Sequence, residues 1–442
     1  MRVDKQTQRD LEIFKPDEGG VSLFDFINNT KTTGGKYALE DKFIHPPENL
    51  EKIKIQQETI AYLTRNRGRF ILPFNDQQIK SIENYISTNI EPIKGESIFE
   101  CLKFCITDIQ AYRYLKSSLS ELTVFINTFF RLFEDKKEEL PANVKMIHKE
   151  LDFFINHECF KRILLIPQKK IFAFLQVLRS DKQLRTNLKS NLTTILTGYY
   201  EIDALLSMAN ATLENHFSFP EFIEHGENLF SAKGLYHPLL AHAVPSNISL
   251  TSDKNFVFLT GPNMSGKTTF LKVVGISIYL AHLGMGVPAE NAKMTYFDRL
   301  FSSINISGNI LKGYSFFFSE VKRVKELAES LNQGENVFSL IDELFRGTNV
   351  QDAYDASVMI ISGLAQWRSS AFVLSSHLWE IWEKIKVYPN IRDLSFESEI
   401  VNGAPVFTYR LVSGVSDMRL GLKIIENEKI MDLLYPPRND KN

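Results

Sequence analysis

The stretch Gly261-Pro262-Asn263-Met264-Ser265-Gly266-Lys267-Thr268 satisfies the pattern G-x-x-x-x-G-K-[ST] and follows directly on the apolar run Phe256 to Thr260. Those residue types in that order suit a phosphate. Glycines let backbone N–H groups turn inward around phosphate oxygens, and a helix that begins at the lysine presents the positive end of its dipole. In such a loop Lys267 reaches the β- and γ-phosphates of a nucleotide, and the Thr268 hydroxyl ligates Mg²⁺. A second apolar run, Val337 to Ile341, ends in the carboxylates Asp342 and Glu343. There Asp342 would hold the Mg²⁺ shell and Glu343 would orient or deprotonate an attacking water. A third run, Phe372 to Ser375, delivers Ser376 and His377 at its end, where a histidine can sense the γ-phosphate.

These groups need a sheet to converge. After about Lys233 the short β-rich runs, with Phe407 to Leu411 a fourth, alternate with helical stretches, which predicts an α/β sheet flanked by helices. Before that point the apolar residues recur at three and four, as in Leu102, Ile106, Ile109, Tyr112, Leu115, Leu119 and Leu122, the pattern of long amphipathic helices. A helix from Leu188 to Leu213 is expected to stop before the aromatic segment His216 to Phe222. The chain is therefore expected to be multidomain, with an all-α domain over residues 1–232 followed by an α/β P-loop domain over residues 233–442.

Composition narrows the class. At 442 residues, 44% hydrophobic and 24% charged, the chain reads as folded and globular rather than disordered. A formal charge of −2 gives no global positive field for nucleic acid or an anionic membrane, so such binding must be local. Cys101, Cys105 and Cys159 lack a disulfide framework, and Cys101/Cys105 and His157/Cys159 lack zinc-finger spacing. The N-terminus has no apolar signal region, and the stretch Val273 to Val287 is too short and too interrupted to span a bilayer. No membrane partner and a reducing, cytoplasmic location are expected. One stretch departs from the even charge: between Lys161 and Ser190, Lys161, Arg162, Lys169, Lys170, Arg179, Lys182, Arg185 and Lys189 face only Asp181. It reads either as a solvated helix face or as a tip that contacts nucleic-acid phosphates.

The loop Thr260 to Thr269, with its Pro262-Asn263-Met264, closely resembles the P-loop of the MutS family of DNA mismatch-repair ATPases. Asp342 to Asn349 resembles that family's acidic pair and Arg-Gly-Thr turn, and Ser315, Phe317 and Glu320 match its Ser-x-Phe-x-x-Glu signature. Gly286 to Glu290, Phe297 to Phe301, His237-Pro238 and Gly414 to Gly421 also fit; Leu11 to Phe14, Ser22 to Phe24 and Thr30 to Gly35 resemble the opening of the helical core. Ile202 to Leu205 with Pro220 to Phe222 looks like its closing lever helix. The resemblance starts at the core, implying a short form lacking the N-terminal mismatch-recognition domains, with a reduced or absent clamp and a short C-terminal tail.

For function, the resemblance implies an ABC-type domain that hydrolyses ATP with Mg²⁺. The nucleotide would be held by Gly261, Pro262, Asn263, Met264, Ser265, Gly266, Lys267, Thr268 and Thr269. Lys267, Glu343 and His377 would serve catalysis, and Thr268 and Asp342 the metal. Two copies would form composite sites in a homodimer, each completed by Ser315 in trans, with Arg346 a contact in that dimer. The implied partner is duplex, mismatched or branched DNA, with nucleoid association when bound. Two other classes stay open: an ATPase of structured RNA or the ribosome, and a nucleotide-switched protein-interaction module.

Overall fold

Every residue of Phe256–Thr260 is buried, as is every residue of Arg299–Ser303, Val337–Asp342 and Ala371–Ser375. Apart from Arg299–Ser303, these are the mainly apolar runs that strands covered on both faces require. The computed structural model describes residues 1–16, 19–134, 139–164, 173–223, 228–305, 316–401, 404–418, 425 and 427–434. In chain order the elements begin β1 (Arg2–Val3), α1 (Lys5–Asp10), α2 (Leu23–Ile27), α3 (Thr33–Ile44), α4 (Leu50–Arg65), α5 (Asp76–Ile86) and α6 (Ile98–Thr107). Then come α7 (Ile109–Arg131), α8 (Ala142–Asn156), α9 (Glu158–Leu164), α10 (Ala173–Thr186) and α11 (Lys189–Glu214). The later part contains β2 (Glu221–Phe222), β3 (Asn228–Leu235), β4 (Ser246–Thr251), β5 (Phe256–Thr260), α12 (Lys267–His282), β6 (Asn291–Met294), β7 (Arg299–Ser303) and α13 (Phe316–Asn332). It continues with β8 (Val337–Asp342), α14 (Val350–Leu364), β9 (Ala371–Ser375), α15 (Trp382–Ile385), β10 (Ile391–Val401) and β11 (Ala404–Ser413).

The chain forms two compact units. One takes in residues 1–26, 46–53 and 214–442. It holds a seven-stranded sheet of order β1-β7-β8-β9-β5-β10-β11, parallel throughout except for the β10/β11 pair, and a four-stranded sheet of order β2-β6-β3-β4. Helix α12 is buried along nearly its whole length, which accounts for the mainly apolar character of Val273 to Ala281. The other unit, residues 27–45 and 54–213, is helical. There Asp203 accepts the backbone N–H of Lys31 and of Thr32 and, at 2.7 Å, the Thr32 hydroxyl, which fixes the start of α3.

The mixed helical and α/β organisation matches the expectation, but the division of the chain differs. The expected cut near Lys233 falls inside β3, and residues 1–26, expected to open the helical domain, belong to the α/β unit. Pairing and charge explain this. β1 adds to the sheet beside β7, and Asp4 pairs with Arg299 at 2.8 Å and Arg323 at 2.9 Å. Asp10, fully buried, accepts from the Ser302 hydroxyl and from the backbone N–H of Ile304 and Asn305. A buried carboxylate needs such partners, and they lie about 290 residues away in sequence.

Candidate phosphate-binding site

Strand order sets the site. β9 lies between β5 and β8, so the C-terminal ends of these three parallel strands sit side by side. In parallel sheets ligands bind beyond those ends. The register places Ser375 opposite both Leu259 and Asp342. Past it, the Ser376 N–H donates to Leu259 O at 2.9 Å and the Glu343 N–H donates to Ser375 O at 3.0 Å. Three segments that stand far apart in sequence are thereby joined.

The loop after β5 curls as its glycines permit: φ is +146° at Gly261 and +104° at Gly266, values that side-chain-bearing residues rarely adopt. A Cβ on Gly261 would also lie 2.9 Å from Ser265 Oγ. That hydroxyl is buried and has no hydrogen-bond partner among the described residues, an unmet donor inside the curl. Asn263, Met264 and Thr269 are exposed, and Pro262 is buried. Lys267 lies across the loop, its Nζ donating to Gly261 O at 2.7 Å and Pro262 O at 3.1 Å. Burial pushes this ammonium below its ordinary value, against the opposing pull of Glu343 and Asp342.

Thr268 Oγ1 donates to Asp342 Oδ2 at 2.8 Å, and Ser375 Oγ donates to Asp342 Oδ1. A hydroxyl and a carboxylate held together are hard oxygen donors, the kind Mg²⁺ selects. With the orphan Ser265 hydroxyl in the loop, the residues present fit both a phosphate and that ion. Among the described residues no cluster of three or more His, Cys, Asp or Glu forms a metal site, and the three cysteines are free.

Glu343 has φ +59°, a left-handed conformation, and its carboxylate meets His377 Nε2. Burial would raise the Glu343 carboxyl, but the His377 hydrogen bond and charge, with Arg346 and Lys267, hold it below its ordinary value. The expected residues Lys267, Thr268, Asp342, Glu343 and His377 thus come together. Arg346 joins them: its guanidinium reaches Asp342 Oδ2 and Glu343 Oε2, each at 3.0 Å.

A cavity of about 610 Å³ opens over the loop, lined by residues 263–270 and Glu343 and walled by Tyr236, His237, Leu240, Phe396 and Tyr409. The rings of Tyr409 and Phe396 approach so near that a Cβ on Gly266 would lie 3.3 Å and 3.9 Å from them. The region before Phe256 offers no aromatic at the position that the family resemblance ties to this wall. Tyr236 was detectable there beside His237-Pro238, whereas Tyr409 and Phe396 come from β11 and β10, which no local pattern ties to the loop. Burial lowers the His237 imidazole to about 4, so it is neutral at physiological pH.

Ser315 lies outside the described residues, as do Lys169 and Lys170. The rest of the basic stretch divides. Arg179 Nε donates to Glu96 O at 3.0 Å, Lys182 Nζ to Lys94 O at 2.9 Å and Arg185 Nη1 to Ile90 O at 2.5 Å. Three cations on one face of α10 therefore satisfy carbonyls of residues 90–96. Arg185, 5% exposed, is paired with buried Asp181 at 2.5 Å rather than offered to solvent, unlike its expected contact role. Lys161, Arg162 and Lys189 are exposed, Arg162 with Glu158 3.1 Å away.

Comparison with known proteins bears on residues well beyond this site. Residues 257–433 match the family model described as MutS domain V. The chain is similar to the DNA mismatch repair protein MutS of Thermotoga maritima, 30% identical over 98% of this chain and 64% of that protein. It is similar to the MutS of Pseudothermotoga lettingae, 29% identical over 51% of this chain and 28% of the relative. With the MutS of Ehrlichia ruminantium (strain Gardel) it shares 28% identity over 72% of this chain and 39% of the relative. The matches span between 28% and 64% of the length of these relatives. Among the described residues no helix is long and apolar enough to cross a membrane.

Proposed function

The chain belongs to the MutS family, and on that premise we propose that it binds ATP with Mg²⁺, hydrolyses it, and uses the nucleotide to switch its hold on DNA. The observation that carries the catalytic reading is the meeting of Lys267, the Thr268–Asp342 pair and the Glu343–His377 pair at the ends of three adjacent strands. In this reading the loop amides, Ser265 and Lys267 grip the phosphates. Thr268 and Asp342 hold Mg²⁺, which when bound neutralises charge developing on the phosphate oxygens. Glu343 takes the proton of a water whose oxygen bonds to the γ-phosphorus, while the bond to the β–γ bridging oxygen breaks and ADP leaves. His377 fixes the Glu343 carboxylate and senses the γ-phosphate. Tyr236, Phe396 and Tyr409 supply the apolar wall for the base.

The DNA assignment draws on the relatives, each named a DNA mismatch repair protein. Lys161, Arg162 and Lys189 are the exposed cations offered to phosphates. We further propose the ABC-type arrangement, in which a homodimer completes each site with Ser315 in trans, and a cytoplasmic location. The test measures ATP turnover together with fluorescence anisotropy on matched duplex, mismatched duplex, four-way junction and structured RNA, with ADP or a non-hydrolysable ATP analogue, over a salt series. Nucleotide-dependent DNA binding with a steep salt slope supports the proposal. Binding to RNA alone, or to neither, overturns the DNA reading and leaves the ATPase reading standing; no turnover removes the latter.

A further inference from the structure

Arg346 occupies an unusual place. Its Nη2 donates to the Asp342 carbonyl at 2.8 Å and lies 3.0 Å from Asp342 Oδ2, and its Nε lies 3.0 Å from Glu343 Oε2. Asp342 Oδ2 already accepts the Thr268 hydroxyl at 2.8 Å, and Oδ1 accepts from Ser375. With both oxygens engaged, and one engaged twice, the carboxylate has little lone-pair capacity left for a cation. A metal drawing on Oδ2 must therefore displace a partner, and Arg346 is the one able to leave. Its side chain is 37% exposed and can swing into water, whereas Thr268 is fixed at the start of α12 and Ser375 is buried.

The backbone aims this side chain. Glu343 and Phe345 both adopt left-handed φ, +59° and +63°, curling the turn so that Arg346 points back over the residues three and four before it. The turn is pinned from the other side by the start of α13. The Arg346 N–H reaches Glu320 Oε1 at 3.4 Å, the Phe317 and Phe345 rings lie 5.4 Å apart, and a Cβ on Gly347 would come within 2.8 Å of the Phe317 nitrogen. Glycine at 347 permits that approach. The strained turn thus has a rigid backing.

We propose that Arg346 is a built-in counter-ion that closes the Asp342–Glu343 acid pair and must give way for Mg²⁺ to bind there. It is a positioning residue: it holds two adjacent carboxylates in place, and it sets the Mg²⁺ concentration at which the site loads. The proposal rests on the reading of Asp342 as a metal ligand.

The test is a Mn²⁺ titration followed by electron paramagnetic resonance, with ADP present, on the full chain and on Arg346→Ala and Arg346→Lys. Thermal melts with and without Mn²⁺ serve as a second readout. The expected result is Mn²⁺ binding at least about fivefold tighter in Arg346→Ala, with Arg346→Lys between it and the unaltered chain, because an ammonium lacks the fork that bridges both carboxylates. The Mn²⁺-dependent rise in melting temperature is expected to be larger in Arg346→Ala than in the unaltered chain. Equal or weaker Mn²⁺ binding in Arg346→Ala, in a chain that still melts cooperatively and binds ADP, overturns the proposal alone. Failure of the unaltered chain to bind Mn²⁺ and ADP overturns the phosphate-site reading, and this proposal with it.

Discussion

The Thr268 hydroxyl donates to the Asp342 carboxylate across 2.8 Å, linking the start of α12 to the end of β8. The two are 74 residues apart in sequence, and β5, the strand that leads into α12, does not touch β8, because β9 lies between them. Thr268→Val keeps the shape and removes the oxygen. The Mg²⁺-dependent gain in ADP affinity is expected to fall about 10-fold to 100-fold, the range of one charge-assisted hydrogen bond, while ADP affinity without metal holds. Isothermal calorimetry with and without Mg²⁺ reads this directly, and an unchanged gain removes Thr268 from the metal site.

Glu343 and His377 form the acid–imidazole contact of the site. Glu343→Gln is expected to lower ATP turnover by about 10²-fold to 10⁴-fold, as for loss of a general base, with nucleotide affinity within a few-fold. His377→Ala removes one of the partners that keep Glu343 below its ordinary value, so the acid limb of the rate–pH profile should move to higher pH. Steady-state kinetics over pH separates the two roles. An acid limb that stays in place would show that His377 does not tune Glu343.

Asp4 ties the N-terminal segment to the sheet unit and gives it a pH dependence. Burial alone would raise its carboxyl, but Arg323 and Arg299 hold it at about 2 against an ordinary 3.8. A depressed carboxylate contributes stability that is fully present above its unfolded value and is lost as pH falls through the folded one. The contribution is about 2 kcal/mol at neutral pH and should vanish between about pH 4 and pH 2. Urea unfolding over that range, with Asp4→Asn as reference, checks it; identical pH curves for the two proteins would refute it.

The basic stretch offers a contrast. Arg185→Ala strips a buried partner from Asp181 and is expected to cost about 3–5 kcal/mol in urea unfolding. Lys161→Glu and Lys189→Glu, on exposed side chains, should leave stability within about 0.5 kcal/mol. If these lysines touch phosphates, each change lowers DNA affinity and reduces the salt slope by about 1. Unaltered salt slopes would leave the stretch as a solvated face.

The α11 helix shows how far local pattern carries: a run expected over Leu188 to Leu213 forms Lys189–Glu214, a stretch with no proline to interrupt it. The loop after β5 was legible too, since glycines, lysine and threonine at fixed offsets act within one turn of backbone. The acid pair and His377 were legible as strand ends. Their meeting was not: it follows from β9 pairing with both β5 and β8, a choice made by burial of whole strands against one another. The same holds for the residues whose partners are distant. Asp4 and Asp10 draw the first 26 residues into the α/β unit through contacts about 290 residues away. Arg185 turns inward because Tyr85 and Asp181 make a buried polar pocket for it, while a charge count sees only another cation. Tyr409 reaches the loop because β11 folds back on β10. The sequence by itself determined which segments are strands, helices and phosphate loop, since those depend on neighbours a few residues away. Only the tertiary structure decided which of their side chains share a site, because that depends on the long-range pairing of buried surfaces.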